Sequence, residues 1–173
     1  MSALWFAQKY PEARIIAIEP NRENYELLEK NVRPYKNQIT SFFGGVWPKD
    51  VGLIIENPEA GAQHYRTREV PLETQGALNA ITINTILKKA EVDEIFIVKI
   101  DIEGGQAALF KENTSWVKKT HLIVLELDDW QFPWKGTSRS FFSCVSKYHF
   151  DYLLHGENIF CFQDLGNGGN SIK

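Results

Sequence analysis

Cysteine is scarce in this 173-residue chain: Cys144 and Cys161 are the only two. Their spacing matches no zinc or redox motif, and two buried thiols in a reducing compartment is the plainer reading. Long hydrophobic runs are missing as well. The longest are strand-sized and cut by charge at Lys99 and Glu126, far short of the roughly 20 apolar residues of a membrane-spanning helix. The opening MSALWFAQKYPEAR has no basic stretch ahead of its short apolar one, as a secretory signal would. Nor is there an excess of one charge: 19 Lys and Arg stand against 22 Asp and Glu, a net charge of −3. That balance offers no broad basic surface to nucleic acid or anionic lipid. The expectation is a soluble, cytoplasmic protein without nucleic-acid or membrane partners.

Familiar catalytic signatures are absent too. There is no Gly-x-Ser-x-Gly, no P-loop and no His-Glu-x-x-His, which argues against serine hydrolase, P-loop NTPase and zincin chemistry. His64, His121, His149 and His155 are scattered, none at ligand spacing. The acids Glu126, Asp128 and Asp129 cluster, but no histidine stands among them, so no metal site is expected.

What the chain does have is an ordinary globular balance, 43% apolar and 24% charged, with 13% aromatic residues. One domain over residues 1–165 is expected, followed by a Gly/Asn-rich flexible tail over 166–173. Short β-branched runs alternate with helical patterns. Ser2 to Tyr10 reads as the end of a helix, closed by Pro11. Arg14 to Ile18 reads as a buried strand ending in Glu19-Pro20-Asn21, where Asn21 caps a helix carrying Tyr25, Leu28 and Val32 on one face. Strands are expected at Ile39–Phe43, Val51–Glu56 and Ala80–Ile83, with a loop and short strand over Asn57–Gln75. Asn84 is expected to cap a helix through Lys89. Ile95 to Ile100 (IFIVKI) is the strongest strand signal. It runs into Asp101-Ile102-Glu103-Gly104-Gly105, then a helix over Gln106–Lys111. Leu122 to Leu127 is the next apolar strand, Thr137 to Tyr148 a helix, and Phe150–Leu154 with Asn158–Phe162 a hairpin. Buried strands alternating with helices predict an α/β fold on a mostly parallel sheet, with the hairpin adding an antiparallel strand at its edge.

In such sheets ligands bind outside the carboxyl ends of the strands. Glu19 stands at one such end, where a carboxylate can accept both hydroxyls of a ribose; this does not separate a nicotinamide dinucleotide from S-adenosylmethionine. Lys99, Asp101 and Glu103 alternate at another. Charging the mouth of an apolar strand is costly unless it opens on a cleft, and Gly104-Gly105 lets the backbone turn there. Trp130 and Trp134 flank the loop after a third strand end and suit the wall of a sugar site as well as a packed loop.

These residues resemble a family. VKIDIEGGQAALF (98–110) is similar to the signature of FkbM-type methyltransferases, Lys-Ile-Asp-hydrophobic-Glu-Gly-small-Glu. RIIAIEPNRENYELLEKNV (14–32), HLIVLEL (121–127) and Gly44 to Trp47 resemble further blocks of that family, in order. The resemblance implies a Rossmann-like fold, S-adenosylmethionine as donor, and O-methylation of a hydroxyl on a sugar or other small-molecule acceptor. It implies Glu19, with Pro20 and Asn21, at the donor ribose and Gly45 and Val46 along the adenine. Asp101 and Glu103 would face the methionine end and the acceptor, with Lys99 beside them. Two departures are visible. Gln106 stands where the family has a second Glu. The family's first strand and glycine-rich loop would precede Ser2, so the first strand is expected to be missing and the domain N-terminally incomplete, with a gap between Arg14–Ile18 and Ile95–Ile100. Alternatives are a methyltransferase-like remnant or interaction module that does not bind the donor, and a nicotinamide-dependent enzyme suggested by Glu19 alone.

Overall fold

A computed structural model describes residues 2–56, 67–102, 105–130 and 133–163. The expected tail over 166–173, the Asn57–Arg66 part of the loop, Glu103 and Gly104 lie outside the described residues.

Helix α1 (Ser2–Lys9) leads into β1 (Ile15–Glu19). Helix α2 (Arg22–Val32) starts where the sequence predicts: Asn21 is extended, and its side chain accepts from the Asn24 amide at 3.0 Å. A single 3-10 turn containing Pro34 ends it. Strand β2 (Ile39–Phe43) then pairs parallel with β1, Ile15 opposite Ile39 and Glu19 opposite Phe43.

The middle of the chain forms a small sheet of β3 (Gly45–Val46), β4 (Gly52–Ile55), β5 (Thr67–Val70) and β6 (Leu78–Ile81), in the order β3-β6-β4-β5. Helix α3 (Ile83–Ala90) follows. Its cap is Thr82, whose hydroxyl accepts from the Thr85 amide at 2.9 Å. The predicted cap, Asn84, lies inside the helix and donates instead to the Asn113 carbonyl at 2.7 Å. Thr82 wins because its own amide is held by Asp50, at 2.7 Å, at the edge of the small sheet.

The larger sheet contains β7 (Ile95–Ile100), β8 (Thr120–Glu126), β9 (Phe150–His155) and β10 (Asn158–Gln163), ordered β7-β8-β10-β9. The intervening helices are shorter than the sequence pattern suggests: α4 (Gln106–Leu109) is one turn and α5 (Arg139–Val145) two. One face of this sheet carries the main core. Ile123, Leu125 and Cys161 are fully buried there with Trp116, Val117, Phe141 and Val145.

The mostly parallel expectation is corrected to a mixed arrangement. Three pairings are parallel (β1-β2, β3-β6, β7-β8) and four antiparallel (β4-β5, β4-β6, β8-β10, β9-β10). The reason lies in the connections. A parallel pair needs a long crossover. The closing hairpin is antiparallel as expected; the departure comes from the small sheet, where β4 pairs antiparallel with both β5 and β6 and only a short turn-rich segment joins β5 to β6. Within the hairpin, β10 lies inside, next to β8, and β9 forms the edge.

Strands β1 and β7 belong to different sheets and do not pair. The sheets meet near the strands' N-terminal ends, where Tyr10 sets its ring edge-on to Phe96 at 6.2 Å and Arg14 donates to the Ala90 carbonyl. Apolar side chains face solvent along both strands: Ile16 is 40% exposed and Phe96 66%.

Candidate functional site

The C-terminal ends of β1 and β2 bring one group of predicted residues together. Glu19 is half-buried, and its Oε1 accepts from the Asn21 amide at 2.9 Å. That bond fixes the carboxylate over the turn through Pro20, which is exposed. The Glu19 carbonyl accepts from the Gly44 amide at 3.1 Å, tying the end of β1 to the segment after β2. Gly44 permits this approach because a Cβ there would meet the Asn79 carbonyl oxygen at 2.4 Å. Gly45 and Val46 then pair with Ala80 and Ile81, and Val46 packs against the main core. This segment therefore links the end of β1 to the body of the protein.

Beside Glu19 stand three residues whose sequence pattern points only to helix and strand: Phe43, Arg22 and Tyr25. Phe43 stands opposite Glu19 in the β1-β2 register, and the Arg22 guanidinium lies 3.8 Å from the centre of its ring. Tyr25 packs at 5.4 Å on the same ring. The cation stacked on an aromatic face stiffens one wall beside the carboxylate. No periodicity announces such a pair, because it forms between the last residue of one strand and the first residue of the helix after its neighbour.

A second group stands at the ends of β7 and β8. Lys99 and Asp101 form an ion pair at 2.7 Å, as their spacing of two allows. Both are exposed, so the pair adds little to stability. Glu103 lies outside the described residues. Gln106 is buried, and its amide donates to the Glu126 carbonyl at 2.5 Å, binding α4 to the end of β8. A carboxylate could not donate in that place, which gives a physical reason for Gln at this position.

Beyond β8, Asp129 accepts from the Thr137 hydroxyl at 3.2 Å and the Ser138 amide at 3.4 Å. Burial alone would push its carboxyl up, but these bonds outweigh burial and hold it below the usual carboxylate range. Asp129 thus ties the end of the 3-10 turn Asp128–Trp130 to Thr137 and Ser138. Trp130 and Trp134 are exposed, and Trp134 has a left-handed backbone, φ +66°. Among the described residues, no three His, Cys, Asp or Glu side chains gather closely enough to hold a metal ion.

A concavity of about 400 Å³, lined by Glu12, Arg14, Tyr35 and Gln38 among others, lies at the opposite ends of β1 and β2 from Glu19. The strand-end rule points away from it. No described helix is long and apolar enough to cross a membrane.

Comparison with known proteins places these residues in a family context. Over 116 residues the chain is 21% identical to the hexuronic acid methyltransferase AglP of Haloferax volcanii, covering 67% of this chain and 48% of that protein. The chain thus spans about half the length of this curated relative. No solved structure matches it. Residues 3–155 match the methyltransferase FkbM domain, a span that takes in Glu19, the Gly44–Val46 segment and the β7 end, and the chain belongs to that family.

Proposed function

We propose that this protein uses S-adenosylmethionine to methylate a hydroxyl on a sugar or related small molecule, through a Rossmann-like domain over residues 1–165 in the cytoplasm. The observation that carries the reading is the oriented Glu19 carboxylate at the end of a parallel strand, backed by the Gly44–Val46 segment. These residues fit a nucleoside. One Glu19 oxygen is fixed by the Asn21 amide, and the carboxylate remains half-exposed for ribose hydroxyls. Gly45 and Val46 would lie along the adenine. The activity of the Haloferax volcanii relative, a hexuronic acid methyltransferase, supports a sugar acceptor, and the exposed Trp130 and Trp134 are suited to stack on one.

The sulfonium donor supplies a methyl carbon open to in-line displacement. The protein's part is alignment, a proximity effect. Asp101 would take up the acceptor's hydroxyl proton, with Glu103 able to share the role. Lys99 pairs with the Asp101 carboxylate. Asp101→Asn is expected to lower turnover by about 10²–10⁴-fold while leaving the donor dissociation constant near its original value. A loss of donor affinity with turnover intact would move Asp101 to the donor side.

A second reading is a methyltransferase-like module that does not bind the donor. It is favoured by the placement of β1 and β7, and so of Glu19 and Asp101, on separate sheets. Isothermal titration of the folded protein with S-adenosylmethionine decides between the two. Heat of binding supports the enzyme, and its absence at millimolar donor supports the module.

A further inference from the structure

Edge strands in folded proteins are normally blunted by charge, proline, bulges or brevity. Strand β5 follows that rule, with Arg68 and Glu69 at its centre. Strand β9 does not. It runs six residues, Phe-Asp-Tyr-Leu-Leu-His, at the outer edge of the larger sheet with no lysine, proline or break. Tyr152, Leu153 and Leu154 are 48%, 54% and 73% exposed. We propose that β9 is a self-association edge, through which two copies of this chain join their four-stranded sheets.

The register follows from the hairpin. Gly156 and Glu157 form a two-residue loop, with His155 opposite Asn158. Such a loop closes on a hydrogen-bonded pair, and these alternate along an antiparallel ladder. The backbone groups of His155, Leu153 and Asp151 therefore point inward to β10. Those of Tyr152 and Leu154 point outward to the open edge. A second β9 running antiparallel must place its own Tyr152 and Leu154 against these.

Only a few registers satisfy that condition, and the side chains they set opposite one another separate them. Centring the two-fold on Leu153 sets Tyr152 against Leu154 of the second copy, an aromatic–aliphatic pair. It also sets Asp151 against His155 of the second copy, on both sides of the axis. Centring on Tyr152 sets Asp151 against Leu153 and His155 against His149. Centring on Leu154 sets Asp151 against Glu157, two acids. The Leu153-centred register is thus self-complementary in hydrogen bonding, imidazole N–H facing carboxylate, and in apolar contact, which an isologous two-fold interface requires. It also extends the core face. Tyr152 and Leu154 stand beside buried Cys161 and Ile159 on β10, so their exposed parts continue that apolar layer toward the partner.

Sedimentation velocity across a concentration series tests this on the whole chain. The unaltered protein is expected to show a monomer–dimer equilibrium. Leu153→Lys sets two like charges against each other at the axis and should raise the dimer dissociation constant by about tenfold or more. Because Leu153 is half-exposed, the variant should keep the far-ultraviolet circular dichroism of the parent. Leu153→Cys gives a second readout: mild oxidation should join two chains through position 153, since Cys144 and Cys161 are buried. A purely monomeric parent at the highest soluble concentration overturns the proposal. So does a dimer that survives Leu153→Lys and fails to cross-link through Cys at 153.

Discussion

Two regions of this molecule are packed very differently. Beneath β7, β8 and β10, fifteen described residues are buried in one cluster, from Ile83 through Trp116 to Cys161. Beside β1 and β2 the corresponding cluster has three, Ala7, Val32 and Ile39. Yet Glu19, Pro20 and Asn21 sit at the end of the thin region, while Val46 and Asp101 belong to the dense one. Low local stability is common in elements that bind and release ligands. The dense region supplies a rigid frame, and the β1-β2 unit is attached to it through the Gly44–Val46 segment and the contacts of Tyr10 and Arg14. Hydrogen exchange should therefore be slow at the Ile123 and Leu125 amides and faster at Ile16 to Ile18.

The largest effect is expected from cutting into the dense side. Trp116 is 1% exposed and packs against Phe110 at a ring separation of 5.5 Å. Trp116→Ala should cost about 3–5 kcal/mol, measured by urea unfolding, which leaves a domain of ordinary stability close to unfolding. In the thin region Ile39→Val should cost about 0.5–1.5 kcal/mol, with protection lost at β1 and β2 and kept at β8. Equal loss in both places would mean that the molecule unfolds as one unit and that the contrast in packing has no counterpart in stability.

Glu19→Ala sharpens the comparison from the ligand side. Under the proposed function it removes two charge-assisted ribose hydrogen bonds, a loss of about 2–4 kcal/mol in donor binding by titration calorimetry. Stability should change much less, because the carboxylate is half-exposed and its structural bond is the one to the Asn21 amide. An unchanged dissociation constant would remove Glu19 from the donor site.

Gly44→Ala acts on the connection between the two regions. The added methyl would sit 2.4 Å from the Asn79 carbonyl oxygen and 2.3 Å from the Phe42 ring. The ring can turn, but the carbonyl belongs to β6, so the backbone must shift. The cost is expected at about 1–3 kcal/mol, with exchange at β1 and β2 rising more than exchange at β8. A thermal melt gives the first quantity and residue-resolved exchange the second.

How much of this was legible in the residues depends on the range of the forces involved. Local rules served well where they acted alone. Asn21 caps α2 as expected, Ile39–Phe43 is a strand with those bounds, and Gly156 turns the hairpin. They failed where a distant residue decided the outcome. Asn84 lost the cap of α3 because Asp50, 32 residues before Thr82, holds the Thr82 amide. The order of β9 and β10 within the sheet was invisible because both read as ordinary apolar strands, and only pairing with β8 distinguishes them. At the site, Glu19 and the Lys99–Asp101 spacing could be read from strand ends. The Arg22–Phe43 stack could not, since it joins residues whose patterns point to helix and strand alone.

The smallest effect concerns the rim of the dense region, at Asp129. Its folded carboxyl titrates below the ordinary value, because bonds from Ser138 and Thr137 outweigh the opposing effect of burial. A depressed folded value means the unfolded chain binds the proton more readily. The associated stability is therefore fully present above the unfolded value, near about 3.9, and is lost as the pH falls through the lower folded value. The group lies near the surface, so solvent screening limits the contribution to less than about 1 kcal/mol. Urea unfolding of the parent and of Asp129→Ala at neutral pH should differ by that small amount, and the difference should shrink as the pH is taken below the ordinary carboxylate range. A gap that widens on acidification would mean that the protonated acid is the favoured partner of Thr137 and Ser138. The tie from Asp129 to Thr137 and Ser138 would then tighten in acid rather than loosen, and the dense region's rim would titrate in the opposite sense.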